Sequence, residues 1–292
     1  MDTGNWILDN LYSALQFWNT KLAEIWMLIT QSPQSFKDGG IWKVVTGING
    51  SLKAIGYALL VLFFLVGIVK TCGSFAEIKR PEHALKLFVR FAIAKGVITY
   101  GLDLMTALFK IVQGIVTTII GSGGLNAAQA VTLPDGMITA VEGLTFLESI
   151  PAWAVSLIMC LIVFVLTLVM VMSVYGRFFR LYLYTAIAPV PLSTFAGEPS
   201  SHIGKSFLKS YAAVCLEGAI IVLACIIFSV FSAADPVVTE GASAVSVVWT
   251  YMGELIFNLL VLTGAVKMSE RVVRETVSYT HLRAHETAAN LV

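Results

Sequence analysis

Residues 149–176, with the sequence SIPAWAVSLIMCLIVFVLTLVMVMSVYG, decide the fold of this chain. The stretch contains no charged residue, and it is longer than the roughly 20 apolar residues that a helix needs to cross a bilayer core of about 30 Å. Because lipid offers the backbone no hydrogen-bond partner, a single apolar stretch of this kind crosses as an α-helix. The sequence therefore predicts a membrane-spanning helix here.

The rest of the chain has a similar composition. Of its 292 residues, 57% are hydrophobic and 13% are charged, whereas about a quarter of the residues of a soluble domain are charged. Four further stretches are long and apolar enough to cross a membrane: Leu52–Cys72, Gly96–Ile120, Ser210–Ala234 and Ser243–Val266. We therefore expect an all-α, polytopic membrane bundle of about five transmembrane helices.

The second of these stretches carries charges, and central charges cost roughly 2.5–3.5 kcal/mol each on insertion. Its polar residues recur every three or four positions and so form one helical stripe: Lys95, Thr99, Asp103, Thr106, Lys110, Gln113 and Thr117. Such a helix either lies on the membrane surface or spans with the stripe turned inward.

The distribution of basic residues favours a span. The segments 121–148 and 235–242 contain no Lys or Arg, and basic residues concentrate in cytoplasmic loops. If the second stretch spans, all basic clusters face the cytoplasm. We therefore expect a protein of the cell membrane, with its N-terminus outside and its C-terminus in the cytoplasm.

The segment Leu181–Gly197 is apolar but contains Pro189 and Pro191. Proline removes a backbone donor and breaks a helix, and irregular backbone at membrane depth must be covered by protein. We expect a re-entrant or interfacial element on the cytoplasmic side, buried against the final two spans or against a neighbouring subunit.

The two ends of the chain differ from the bundle, which we place at residues 52–276. Apolar residues recur at helical spacing through residues 1–51, so we expect an extracytoplasmic amphipathic segment that lies on the outer surface or packs on a partner protein. From Val277 the sequence VSYTHLRAHET reverse-translates as the adapter of a sequencing library. We therefore expect residues 277–292 not to be native protein.

No arrangement of residues in the sequence suggests catalysis or a bound cofactor. There is no nucleophile–base pair and no Gly-rich phosphate loop ending in Gly-Lys-Ser/Thr. We expect no catalytic, cofactor or metal site, and no enzyme. The intramembrane polar candidates are Lys95, Asp103, Lys110, Glu217 and Glu254, which either seal helix contacts through hydrogen bonds or line a hydrated path. Lys110 and Glu254 both fall near the predicted midplane and could pair.

One region resembles a known family. Its signature is Gly176-Arg177-Phe178-Phe179-Arg180, then Ala188-Pro189-Val190-Pro191-Leu192, and then Gly204-Lys205-Ser206. These residues resemble the TrbL-like polytopic membrane proteins of conjugative type IV secretion systems, in the form carried by Gram-positive integrative conjugative elements. The resemblance is strongest over residues 150–275 and weak at the N-terminus.

The resemblance implies a structural, channel-forming subunit of the inner-membrane platform through which single-stranded DNA and relaxase leave the donor. The implied partners are other type IV secretion subunits including ATPases, further copies of the chain, the translocating DNA with its relaxase, and the lipid bilayer. The candidate contact residues are Arg177, Arg180, Pro189, Pro191, Lys205 and Lys209.

Two alternatives remain open from the sequence. A secondary transporter or ion channel would use the intramembrane carboxylates Asp103, Glu217 and Glu254, and its sequence would show inverted repeats with paired broken helices. An intramembrane enzyme would need a polar catalytic pair at membrane depth.

Overall fold

A computed structural model describes residues 5–71, 81–122, 130–231 and 244–278. Within these ranges the regular elements are helices and no strand occurs. The helices are α1 (Trp6–Thr30), α2 (Gly40–Thr71), α3 (Pro81–Thr99), α4 (Gly101–Ser122), α5 (Asp135–Glu142), α6 (Phe146–Ile187), α7 (Pro189–Leu192), α8 (Ser201–Phe231) and α9 (Ala244–Ser278), with 3₁₀ turns at Phe36–Gly39 and Ser193–Ala196. The segment 235–242 and the tail beyond Ser278 lie outside the described residues.

Five segments are long and apolar enough to cross a membrane, which confirms the predicted all-α polytopic class. They are Phe36–Lys70, Gly101–Gly121, Phe146–Ile187, Ser201–Val230 and Val245–Thr276, and the third has the highest mean hydropathy, 3.0. Two helices extend beyond the spans predicted within them. Helix α2 begins at Gly40, not near Leu52, and α6 continues past Gly176 to Ile187. Both helices extend because their extra turns contribute buried residues to a protein core.

The predicted second span is divided at Tyr100, between α3 and α4. Backbone hydrogen bonds of 2.9 Å still join Tyr100 N to Gly96 O and Leu104 N to Tyr100 O. A Cβ at Gly101 would lie 2.9 Å from Leu192 Cδ1, so glycine permits the close approach. The spanning candidate therefore begins at Gly101, and Lys95 belongs to the preceding helix.

The chain forms two compact units, each assembled from separated segments. Unit 1 comprises Met1–Thr30, Thr117–Tyr175 and Ile220–Ser269, and unit 2 comprises Gln31–Val116, Gly176–Ala219 and Glu270–Val292. The expected division of the chain at residue 51 stays a prediction.

In unit 1, helix α1 packs lengthwise along α6. Phe17 stacks on Phe164 with ring centroids 5.2 Å apart, and the Tyr175 hydroxyl donates to Glu24 Oε1 at 2.8 Å. The apolar stripe predicted from the sequence is buried within the chain: Ile7, Leu11, Leu15, Trp18, Leu22, Ile25 and Ile29. The expectation that this stripe faces the membrane surface or a partner protein was therefore wrong, because its own chain covers it.

In unit 2, the proline-containing segment packs against α2. A Cβ at Gly56 would lie 2.9 Å from the carbonyl oxygen of Pro189, and a Cβ at Gly67 would lie 3.1 Å from the Cα of Gly197. The segment is buried, as expected. It contacts α2 and α3, and it also packs against α8, one of the final two spans, where a Cβ at Gly204 would lie 2.8 Å from the Phe195 ring.

Candidate functional site

A groove in unit 2 brings together four of the nine charged residues that the sequence singled out, namely Arg180, Lys205, Lys209 and Glu217. It has a volume of about 620 Å³ and is lined by the end of α6, the first half of α8 and the end of α9. Its polar and charged lining residues are Arg180, Tyr184, Ser201, His202, Lys205, Ser206, Lys209, Ser210, Glu217, Glu270 and Arg274. We call it the basic groove.

Helical spacing explains why these side chains share one groove. Residues three or four apart lie on the same face of a helix. Arg180 and Tyr184 are four apart on α6, Glu270 and Arg274 are four apart on α9, and Lys205 and Lys209 are four apart on α8. Each helix thus contributes one stripe, and the three stripes meet.

Arg180 links the three helices through ion pairs. Its Nη2 donates to both carboxylate oxygens of Glu217, at 2.8 and 2.9 Å. Its Nη1 lies 2.6 Å from Glu270 Oε1, at ion-pair distance but without hydrogen-bond alignment. Arg274 Nη2 contacts the same Glu270 oxygen at 2.8 Å. Glu217 is 3% exposed, so its charge depends on this pairing.

Arg177 lies in a different environment from Arg180. It is 1% exposed, and among the described residues its Nε and Nη1 have no hydrogen-bond partner. Its guanidinium occupies the space that a Cβ at Gly218 would fill, and it lies 5.6 Å from the centre of the Phe178 ring. The structure therefore places Arg177 in the interior of unit 2, where a soluble partner does not reach it.

The two lysines of the groove are exposed, whereas the two prolines are largely covered. Lys205 and Lys209 are exposed on α8. Pro189 is buried and Pro191 is half-buried. Of the six predicted contact residues, the lysines are therefore the ones most open to a partner. Arg180 is partly open, with 24% of its side chain exposed.

The end of the proline segment is tied to α3 by a further ion pair. Arg90 Nη1 donates to Glu198 Oε2 at 2.9 Å. This hydrogen bond lowers the pKa of the Glu198 carboxyl below its ordinary value. Ion pairs near the surface contribute little to stability. The Arg90–Glu198 pair therefore mainly fixes the orientation of the proline segment.

The intramembrane polar candidates do not share one environment. Lys95, Asp103 and Lys110 are exposed, because the buried face of α3 and α4 is the apolar one that carries Ala94, Ile98, Met105, Phe109 and Val112. These three charged residues lie on the chain's own surface, and the expectation that the polar stripe turns inward stays a prediction. Glu217 is buried and ion-paired, and Glu254 is half-buried in unit 1. The suggested pairing of Lys110 with Glu254 stays a prediction.

Sequence reasoning missed Glu270 and Tyr184 as members of the groove. The four-residue spacings Arg180–Tyr184 and Glu270–Arg274 indicate that the two residues of each pair share one helix face. Only the fold shows that these two faces line the same groove. Across the part of the chain that the structure describes, no group of three or more His, Cys, Asp or Glu could hold a metal ion.

Comparison with known proteins gives one match. Residues 18–189 match the family described as TrbL/VirB6 plasmid conjugal transfer like protein. No curated protein and no solved structure matches the chain. The matched region ends at Pro189 and includes the second half of α1, so it lies further towards the N-terminus than the resemblance seen in the sequence.

Proposed function

From the premise that this chain belongs to the TrbL/VirB6 plasmid conjugal transfer-like family, we propose that it is a structural, channel-forming subunit of the inner-membrane platform of a type IV secretion system. The family match carries this proposal, and the five helices that could cross a membrane support it. The subunit performs no catalysis of its own. Single-stranded DNA and relaxase leave the donor through the platform to which it contributes.

The contact with other components involves the basic groove. Lys205, Lys209 and Arg274 are exposed cations of the groove, and the two lysines lie on one face of α8. Exposed cations steer anionic partners and set the register of a complex. The partner is an ATPase of the secretion system or the departing DNA, and further copies of the chain complete the platform. The cytoplasmic position of the groove follows from the basic residues around it.

A transporter or ion channel that uses Asp103, Glu217 and Glu254 is less well supported. A transported proton or cation needs a carboxylate that can release its partner. Glu217 is instead held by both of its oxygens to Arg180. Such a pair is typical of a helix-to-helix link, because breaking a buried ion pair is costly.

The contact is tested by the charge-reversal variant K205E/K209E in a donor cell that carries the element. Conjugation frequency should fall at least about a hundredfold, because two reversals repel an anionic partner, while the amount of protein in the membrane stays at the wild-type level. The matched control is K86E, since Lys86 is exposed on α3 outside the groove. Arg177 and Arg180 are unsuitable for this test because one is buried and the other is held in ion pairs.

Two outcomes would count against the contact. One is wild-type transfer by K205E/K209E, and the other is an equal loss of transfer in K86E.

A further inference from the structure

The basic groove has more positive charge than its own carboxylates neutralise. Four cationic side chains line it, namely Arg180, Lys205, Lys209 and Arg274, against the two carboxylates Glu217 and Glu270. Both carboxylates already contact arginines. With His202 neutral, the lining carries a net charge of +2, so the groove suits an anion.

An exposed apolar stripe lies beside the charged one on the same helix. Phe179, Leu183 and Ile187 recur every four residues on α6 and are 63%, 62% and 46% exposed. Phe179 and Leu183 directly precede the groove residues Arg180 and Tyr184, and Ile187 follows Tyr184 by three positions. Since successive helical residues are about 100° apart, the apolar stripe flanks the groove.

Tyr184 joins the two surfaces. It lines the groove and is half-buried, with its ring packed 5.4 Å from that of Phe207, centre to centre. Tyrosine is enriched at the level of lipid headgroups, because one end of its side chain is apolar and the other is polar.

We propose that the basic groove binds the headgroup of an anionic phospholipid, with its phosphate against Lys205, Lys209 and Arg274 and an acyl chain along the Phe179–Leu183–Ile187 stripe. Basic pockets between transmembrane helices are suited to anionic headgroups. Inorganic phosphate and nucleic acid share the phosphate chemistry, but neither uses an exposed apolar stripe. This inference does not rest on the proposed transfer role, although the lipid and the transfer partner share Lys205 and Lys209.

The test places the full chain in lipid nanodiscs that contain equal amounts of phosphatidylcholine and phosphatidylglycerol. Native mass spectrometry then measures the ratio of the two lipids retained on the protein. The wild type should retain phosphatidylglycerol in excess. K205Q/K209Q should reduce this enrichment roughly tenfold, since each basic residue near an anionic surface contributes appreciably to lipid binding. K86Q should leave the enrichment unchanged, and so should K205R/K209R, which keeps both charges.

Inorganic phosphate is the competing ligand, and it is tested in nanodiscs of phosphatidylcholine alone. Phosphate has no acyl chain to lie along the apolar stripe, so it should not bind in a manner that depends on the two lysines. The proposal is overturned if the wild type shows no enrichment of phosphatidylglycerol, or if K205Q/K209Q keeps the enrichment. It is also overturned if phosphate binds the wild type and K205Q/K209Q abolishes that binding. If K205Q/K209Q does not fold, loss of enrichment in K205R/K209R also contradicts the proposal.

Discussion

Arg177 and Arg180 are separated by one helical turn, yet one is buried without a described hydrogen-bond partner and the other joins three helices. The sequence places both in one basic cluster and predicts the same role for them. It cannot separate them, because the difference depends on residues far along the chain. Gly218 leaves room for the Arg177 guanidinium, and Glu217 and Glu270 pair with Arg180.

The Arg180–Glu217 pair should contribute measurably to stability. Replacing Glu217 with Gln keeps the shape of the side chain but removes its charge and weakens two hydrogen bonds to a charged group. We expect a loss of about 2 kcal/mol in the free energy of unfolding, the usual range for such bonds. Unfolding in mixed detergent micelles measures it.

Glu254→Gln provides the matched control. Glu254 is also a carboxylate within a candidate span, but it is half-buried and takes part in no ion pair among the described residues. Its replacement should change stability by less than about 0.5 kcal/mol. If both variants lose the same free energy of unfolding, the Arg180–Glu217 ion pair contributes no more to stability than an unpaired carboxylate does.

At the scale of elements, the proline segment shows how far sequence reasoning extends. Pro189 and Pro191 predict a broken, buried element, and α6 does end at Ile187. The part of the receiving surface that α2 provides was not predictable, because it depends on glycines more than a hundred residues earlier. Gly56 and Gly67 allow close approach of the Pro189 and Gly197 backbones.

The variant Gly56→Ala tests this close packing. Its new Cβ would lie 2.9 Å from the Pro189 carbonyl oxygen, so the segment must move away from α2. We expect destabilisation of about 1–3 kcal/mol, as for overpacked cores. Gly50→Ala, on the same helix with open space around it, should instead be neutral or stabilise by up to about 1 kcal/mol, because alanine favours helices. Thermal aggregation of detergent-solubilised protein compares the two, and similar melting temperatures would argue against the contact.

For helix α1, the sequence pattern correctly predicted the helix and its apolar stripe. It did not identify the surface that covers this stripe. The spacing of apolar residues predicts the helix, but periodicity alone does not show whether lipid or protein covers the stripe. The long-range contacts with α6 decide this. The side-chain amide of Asn10 donates to the Ser156 hydroxyl at 3.1 Å, and Phe17 stacks on Phe164.

Two tryptophans of α1 provide a matched test. Trp18 is fully buried, whereas Trp6 is 74% exposed. Trp18→Ala should lower the free energy of unfolding by about 3–5 kcal/mol, as for a large residue removed from a core. Trp6→Ala should have little effect. A helix that merely lay on the membrane would lose membrane affinity in both variants and folding stability in neither, and limited proteolysis distinguishes these results.

At the scale of the whole molecule, composition alone predicts the fold class. A hydrophobic fraction of 57% with 13% charged residues requires a lipid environment for most of the chain, and five candidate spans agree with that expectation. The grouping of segments into two units was not predictable, because each unit combines three stretches that are distant in the sequence. Orientation in the membrane follows from the basic residues of the loops and stays a prediction.

The central claim is that this chain is part of the conjugal transfer platform. Its most direct test is affinity purification of the tagged full-length protein from the membranes of donor cells, with quantitative mass spectrometry of the proteins that accompany it. We predict that the other membrane components and ATPases of the secretion system co-purify at a fixed ratio, and that K205E/K209E lowers the yield of the partner that contacts the basic groove. Recovery of the chain alone, from donors that assemble the remaining components in normal amounts, would contradict it.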